Sequence, residues 1–70
     1  MKPFAKRLGA RLRTVRLEKG MSQHTLALKL GTEACAVSRY EGGVRCPTVW
    51  TLQAFASVFN MTLSQLLEGV

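Results

Sequence analysis

The 70-residue sequence predicts a compact all-α fold of five helices in a single domain spanning residues 1–70. Apolar residues recur at three- and four-residue spacing in five short segments, as they do along one face of a helix. Gly, Asn, Ser and Thr stand between these segments, where helix ends and N-caps need them. No segment alternates apolar and polar residues as a half-buried strand does.

The first predicted helix runs from about residue 4 to residue 19. Its apolar stripe is Leu8, Leu12 and Val15. Gly20 suits the left-handed conformation in which many helices end. Ser22 has the chemistry of an N-cap for a second helix, and Gly31 supplies the positive φ at which that helix ends.

The second and third helices are joined by a very short turn, which sets three requirements. Ala27 supplies a small residue where the helices cross, and Gly31 follows four residues later to make the turn. Val37, six residues further on, is the apolar residue that fixes the third helix on the first two. This spacing predicts a helix-turn-helix over about residues 22–42.

Two further helices are predicted after residue 47. Thr48 caps a fourth helix after Pro47, and its expected core-facing residues are Val49, Leu52, Phe55, Ala56 and Phe59. Asn60 tolerates the left-handed region and ends that helix. Thr62 caps a short fifth helix.

Charge is divided unevenly along the chain. Ten Lys and Arg residues against four acidic ones give a net charge of +6, which suits a polyanionic partner. Residues 46–67 contain no charged residue. The basic run within residues 2–19 is Lys2, Lys6, Arg7, Arg11, Arg13, Arg16 and Lys19.

Several function classes are excluded by composition. Polar residues spread through the charge-free segment argue against a membrane span. The N-terminal segment lacks the uninterrupted apolar core of a secretory signal, so we do not expect one. We therefore expect the protein to be located in the cytoplasm, at the nucleoid. In that compartment Cys35 and Cys46 are expected to be free thiols. With His24 they have no zinc-like spacing, so no metal or cofactor is expected. No nucleophile has a nearby base in sequence, so we do not expect an enzyme.

Residues 8–67 resemble the lambda-repressor/Cro (XRE) family of bacterial and phage regulators. The resemblance rests on the LRxxR run, SQxxLA, LG, the SRYE run followed by Gly, Pro47 and the final LxxLL. It implies a small DNA-binding transcriptional regulator, a repressor or controller, whose third helix enters the major groove. It also implies an Arg16–Glu41 pair that links the first helix to the end of the third.

The resemblance further assigns contacts with the DNA backbone. Gln23 matches a glutamine that binds a phosphate and braces the reading helix. Arg45 and Thr48 fall in the loop that lies along the backbone. The expected phosphate contacts are Arg13, Gln23, Glu33, Arg45 and Thr48. Glu33 departs from the usual small hydroxyl. Its carboxylate suits the helix dipole, and we expect it to cap its own helix or, instead, to accept from a cytosine amino group, since it faces phosphates badly.

The third helix carries few polar groups for reading bases. Its expected reading residues are Ala34, Cys35, Ser38 and Arg39. Arg39 can contact guanine O6 and N7, or instead a phosphate or solvent. Ala34 and Cys35 can pack on a thymine methyl group, and Ser38 can bond to either base type. Cys35 is either a small packing residue or a redox sensor.

A second apolar stripe predicts an interface on the fourth and fifth helices. Its residues are Trp50, Ala54, Val58 and Leu63. We expect a symmetric homodimer that reads an inverted repeat in double-stranded DNA, although Trp50 can instead fold onto its own core. The alternative function is a protein-interaction or antitoxin-type module whose main partner is another protein.

Overall fold

The computed structural model describes residues 3–70, and it contains five helices. They are α1 (Phe4–Glu18), α2 (Gln23–Leu30), α3 (Ala34–Glu41), α4 (Val49–Val58) and α5 (Leu63–Leu66). No strand occurs between residues 3 and 70, so the all-α prediction is confirmed. None of these helices is long and apolar enough to cross a membrane. Lys2, counted above in the basic run, lies outside the described residues.

Hydroxyl side chains cap three of the helices. In each, the cap oxygen accepts a hydrogen bond from the backbone N–H three residues later. The capping residues are Ser22, Thr48 and Thr62. Only Thr62 has a reciprocal partner, because the Gln65 side chain accepts from its backbone N–H at 2.9 Å. The expected left-handed exits are present at Gly31 (φ 74°) and Asn60 (φ 57°).

The core lies where α1, α2, α3, α4 and α5 meet. Its fully buried side chains are Leu8, Leu12, Val15, Leu26, Val37, Phe55, Phe59 and Leu66. Phe55 joins Tyr40 and Phe59 in edge-on and tilted ring contacts at 5.9 and 6.0 Å. The sequence prediction for Val49 was wrong, because its side chain is 57% exposed. The buried part of α4 begins at Leu52, so its first turn projects beyond the core.

The backbone of α1 approaches the end of α3 so closely that only glycine fits. A Cβ on Gly9 would lie against the carbonyl oxygen of Tyr40 and 2.5 Å from that of Glu41. These separations are shorter than real Cβ contacts allow. Gly9 therefore fixes how near the reading helix lies to α1, and sequence reasoning had assigned it no role.

Candidate nucleic-acid interface

A buried polar network holds the C-terminal end of α3. Arg16 donates from Nε to Glu41 Oε2 at 2.6 Å and from Nη2 to Glu41 Oε1 at 3.2 Å. Its Nη1 donates to the backbone oxygen of Met21 at 2.7 Å. The pair implied by the family resemblance is therefore present. Because Arg16 is only 7% exposed and its donors are directed inward, its role is structural.

Gln23, the first residue of α2, joins this network. Its Nε2 donates to Glu41 Oε1 at 3.1 Å, so the start of α2 is tied to the end of α3. This contact provides the expected bracing of the reading helix. The amide nitrogen carries two hydrogens, so the bond to Glu41 leaves one for a further acceptor.

The turn between α2 and α3 sets the direction of the reading helix. Gly31 takes a left-handed conformation, and the N–H of Thr32 donates to the oxygen of Ala27 at 2.9 Å. Leu26, Ala27 and Val37 are all buried beneath the turn. Ala27, Gly31 and Val37, which the sequence indicated for this motif, therefore lie where the crossing of α2 and α3 requires them.

The outward face of α3 carries Cys35, Ser38 and Arg39, all exposed. Ala34 is different, because it is half-buried and packs against the core. It precedes Val37 by three residues and so shares the inner face of the helix. The prediction that Ala34 faces fully outward was therefore wrong, and only its edge lies beside the reading face.

Glu33 occupies the N-cap position of α3 but does not cap the helix. Its side chain accepts no hydrogen bond from the first turn. Instead its Oε2 lies 3.5 Å from Cys35 Sγ, which donates to it. The expectation of a capping carboxylate was wrong, because the longer glutamate side chain turns toward the thiol. A negative charge therefore lies at the N-terminal end of the reading helix, beside Cys35.

The loop between α3 and α4 is tied back to the last turn of α3. The N–H groups of Val44 and Arg45 donate to the carbonyl oxygen of Arg39 at 3.0 and 3.3 Å. The Arg45 guanidinium lies over the Tyr40 ring, 5.7 Å from its centroid. Thr48 uses its hydroxyl to cap α4, with Thr51 N at 3.2 Å. Arg45 is therefore held at the last turn of α3, and both Arg45 and Thr48 are exposed.

Part of the basic N-terminal run has a structural role that sequence reasoning missed. Arg11 donates from Nε to the oxygen of Leu66 at 3.0 Å and from Nη2 to that of Gln65 at 2.9 Å. A cation at these carbonyls stabilises the C-terminal end of α5. Lys6 Nζ donates to the oxygen of Gly42 at 3.4 Å, at the end of α3. No local pattern indicates either contact.

Other cations make no hydrogen bond or ion pair with residues 3–70. These are Arg13, Lys19, Lys29, Arg39 and Arg45, all exposed. Arg13 follows Gly9 by one helical turn, so it lies on the edge of α1 nearest the end of α3. Arg13, Arg39 and Arg45 are therefore cations near α3 whose side-chain donors make no hydrogen bond with residues 3–70.

The apolar stripe of α4 is only partly exposed. Trp50 is 77% exposed, so the alternative in which it folds onto its own core is wrong. Val58 and Leu63 are half-buried and pack against the core, which corrects their assignment as outward interface residues. Beside Trp50 is an open groove of about 230 Å³. It is lined by Leu30, Thr32, Tyr40, Trp50, Thr51 and Ala54.

Comparison with curated proteins finds a relative with a known role. The chain is 30% identical over 59 residues to the HTH-type transcriptional activator BcrR of Enterococcus faecalis. The match covers 84% of this chain but only 29% of BcrR. The chain therefore spans less than a third of that relative's length.

Solved structures give close matches over nearly the whole chain. The restriction-modification controller protein C.AhdI from Aeromonas hydrophila is 30% identical, with a TM-score of 0.86 and coverage of 90% of this chain and 91% of C.AhdI. The P22 c2 repressor, solved with a synthetic operator, is 25% identical, with a TM-score of 0.78 and coverage of 90% and 96%.

A family model described as a helix-turn-helix domain matches residues 7–68, nearly the whole chain. The five-helix architecture agrees with that of lambda-repressor-like DNA-binding domains. Members of this family are DNA-binding regulators rather than enzymes. The chain belongs to the helix-turn-helix family of transcriptional regulators, in its lambda-repressor-like branch.

Proposed function

We propose that this protein is a sequence-specific repressor that binds double-stranded DNA as a homodimer. The observation that carries the proposal is the exposed face of Cys35, Ser38 and Arg39 on a helix whose far end is fixed by Arg16 and Glu41. A reading helix must be held rigidly for its side chains to meet base edges in register. Binding across a promoter is sufficient for repression and needs no further contact with the polymerase.

Arg39 is the main base reader in this proposal. It is exposed, and its guanidinium has no partner among residues 3–70. A bidentate contact with guanine O6 and N7 contributes about 1–3 kcal/mol of discrimination. Ser38 adds a donor and an acceptor, while Cys35 and the edge of Ala34 offer an apolar surface to a thymine methyl group.

The backbone contacts surround this face. Gln23 retains one amide hydrogen for a phosphate, and Arg45 and Thr48 are exposed in the loop between α3 and α4. Arg13 adds a cation from α1. Glu33 is assigned a different role, because a carboxylate repels phosphate but can accept a hydrogen bond from a cytosine amino group.

Self-association through the charge-free segment accounts for the exposed Trp50. Two chains of charge +6 repel each other least when they meet on a surface without charge, and residues 46–67 provide it. Trp50 and Ala54 are the exposed part of the stripe. A two-fold dimer formed there is expected to hold two α3 helices about 34 Å apart on one face of DNA.

A second candidate is a different protein seated on the same surface, and it is favoured by the groove beside Trp50. The similar proteins act in different directions, since BcrR is an activator and P22 c2 a repressor. A different partner at the groove would be consistent with activation. Co-purification with the protein from its host separates this candidate from self-association.

Selection from a random duplex pool tests the proposal. We expect enrichment of an inverted repeat, with log Kd changing steeply with log salt as phosphate contacts release counterions. Arg39→Ala should relax the preference at one position of each half-site. Lys29→Ala, which removes an exposed cation from α2, should leave the preference unchanged. A pool that stays random would contradict specific reading.

A further inference from the structure

We infer that Tyr40 is a positioning residue for DNA binding, because its ring holds the Arg45 guanidinium where it meets the phosphate backbone. The inference rests on the proposed phosphate contact of Arg45. The Arg45 guanidinium carbon lies 5.7 Å from the Tyr40 ring centroid, within the range of a cation–π interaction. Tyr40 itself belongs to the inner half of α3 and contacts no base in the proposed complex.

The inner side of the Tyr40 ring packs against the core. It is half-buried and meets Phe55 edge-on, with centroids 5.9 Å apart and planes at 85°. Phe55 is fully buried. The contacts therefore run from the core through Tyr40 to a cation at the surface, and the ring has a fixed position against which the arginine packs.

The backbone of Arg45 is fixed from the same turn of α3. Its N–H donates to the carbonyl oxygen of Arg39, which also accepts from Val44. The proposed base reader and the proposed phosphate contact are thus joined through one carbonyl group. Consequently, the position of Arg45 relative to the reading face is set within the protein before DNA arrives.

The ring contact leaves the arginine able to bind phosphate. A cation–π contact uses the charge above the ring, whereas hydrogen bonds leave from the edge of the planar guanidinium. Arg45 is exposed, and its side chain makes no hydrogen bond with residues 3–70. A long arginine side chain otherwise loses rotamer freedom on binding, so a preformed position reduces that entropic cost.

Fluorination of the ring at position 40 tests the cation–π contact without removing the ring. The full chain is made with phenylalanine or pentafluorophenylalanine at position 40, each with Arg45 and with Arg45→Ala. Fluorination withdraws the ring charge that attracts a cation. It also alters the edge-on contact with Phe55, and that effect is the same with and without Arg45. We expect Tyr40→Phe to bind as wild type and the fluorinated ring to weaken binding by about two- to fivefold for each bound protomer, the range of one exposed cation–π contact.

The Arg45→Ala background is the matched control. There fluorination should not change Kd, because the cation is gone. An equal loss in both backgrounds, or no loss in either, would overturn the inference. Circular dichroism of all four chains identifies any loss that comes from unfolding.

The same measurements distinguish this inference from the proposed function. They are made on a selected duplex and on one of unrelated sequence, because phosphate contacts do not depend on sequence. Failure to find a preferred sequence would overturn specific reading and leave the fluorination result on the unrelated duplex intact. Arg45→Ala removes one phosphate contact from each protomer, so the salt slope should fall by about 0.9 per bound protomer, or about 1.8 for the dimer. If the slope did not fall, the phosphate contact and this inference would both fail.

Discussion

Arg16 on α1 and Glu41 at the end of α3 form a two-point ion pair, with N–O distances of 2.6 and 3.2 Å. Their side chains are 8% and 4% exposed. Each charge is therefore almost fully removed from water and depends on the other for its stability in the fold. Because Gln23 donates to the same carboxylate, the pair controls how α3 is presented beside α2.

Removal of one member of this pair is predicted to destabilise the protein severely. Arg16→Met leaves the Glu41 carboxylate buried without its cation, which typically costs about 3–5 kcal/mol. Small domains have only about 5–15 kcal/mol of stability in total. Urea unfolding followed by circular dichroism measures the loss.

The matched control is Arg13→Met, an exposed position on the same helix. It should change the free energy of unfolding by less than about 0.5 kcal/mol. Adding Glu41→Leu to Arg16→Met should restore part of the loss, since the unpaired charge is then removed. Equal losses at positions 13 and 16 would contradict a structural role for the pair.

Gly9→Ala is predicted to destabilise the protein although alanine is the better helix former. Helix propensity alone favours alanine by about 1 kcal/mol. The new Cβ, however, would lie 2.5 Å from the Glu41 carbonyl oxygen, and overpacking of this kind costs about 1–3 kcal/mol. Thermal unfolding of the variant gives the sign of the net effect.

The neighbouring Ala10 is exposed and serves as the control. Ala10→Gly should cost about 1 kcal/mol through propensity alone. If Gly9→Ala raised the melting temperature, α1 and α3 would not approach each other as closely as the structure indicates.

The helix ends and the crossing of α2 and α3 were predictable from the sequence. Ser22, Gly31 and Thr62 act through hydrogen bonds and dihedral angles within a few residues, so local spacing was sufficient to place them. The Arg16–Glu41 pair joins positions 25 residues apart, and it came from resemblance to a family rather than from a local pattern.

The errors concern residues whose environment is set by distant elements. Arg11 was counted in the basic run that suits a polyanionic partner, yet it binds carbonyl oxygens 54 and 55 residues away. Val49 matched the apolar spacing of α4, but its side chain is 57% exposed. Ala34 and Leu63 were assigned outward faces, and both pack against the core. In each case the packing of other helices decided the outcome.

Thymine methyl groups in the operator are predicted to contribute to binding through Cys35. Cys35 is exposed on α3 beside the edge of Ala34, which gives a small apolar surface. Replacement of a contacted thymine by uracil removes only the methyl group, worth about 0.8 kcal/mol or roughly a fourfold loss of affinity. Binding titrations with singly substituted duplexes locate the position.

Cys35→Asp serves as the protein-side counterpart. It should abolish the difference between thymine and uracil, because a carboxylate offers no apolar contact to the methyl group. If every thymine tolerated replacement by uracil without loss, the apolar reading surface would be refuted.

Trp50→Glu is predicted to convert the protein to a monomer. Trp50 is 77% exposed in a surface without charge, and a carboxylate there would be buried unpaired in a dimer. Sedimentation equilibrium at micromolar concentration should give a dimer for wild type and a monomer for the variant. Leu28→Glu, at another exposed apolar position outside the stripe, should leave the dimer intact. A wild-type monomer at that concentration would count against self-association.

The most direct test of the central claim is the dependence of affinity on half-site spacing in the selected operator. A two-fold dimer with fixed α3 helices requires the half-sites to lie on one face of the duplex, about one helical turn apart. Insertion of about five base pairs rotates one half-site to the opposite face. We predict that affinity then falls to that of a single half-site. Equal affinity at every spacing would show that the copies bind independently, and would contradict a dimer reading an inverted repeat.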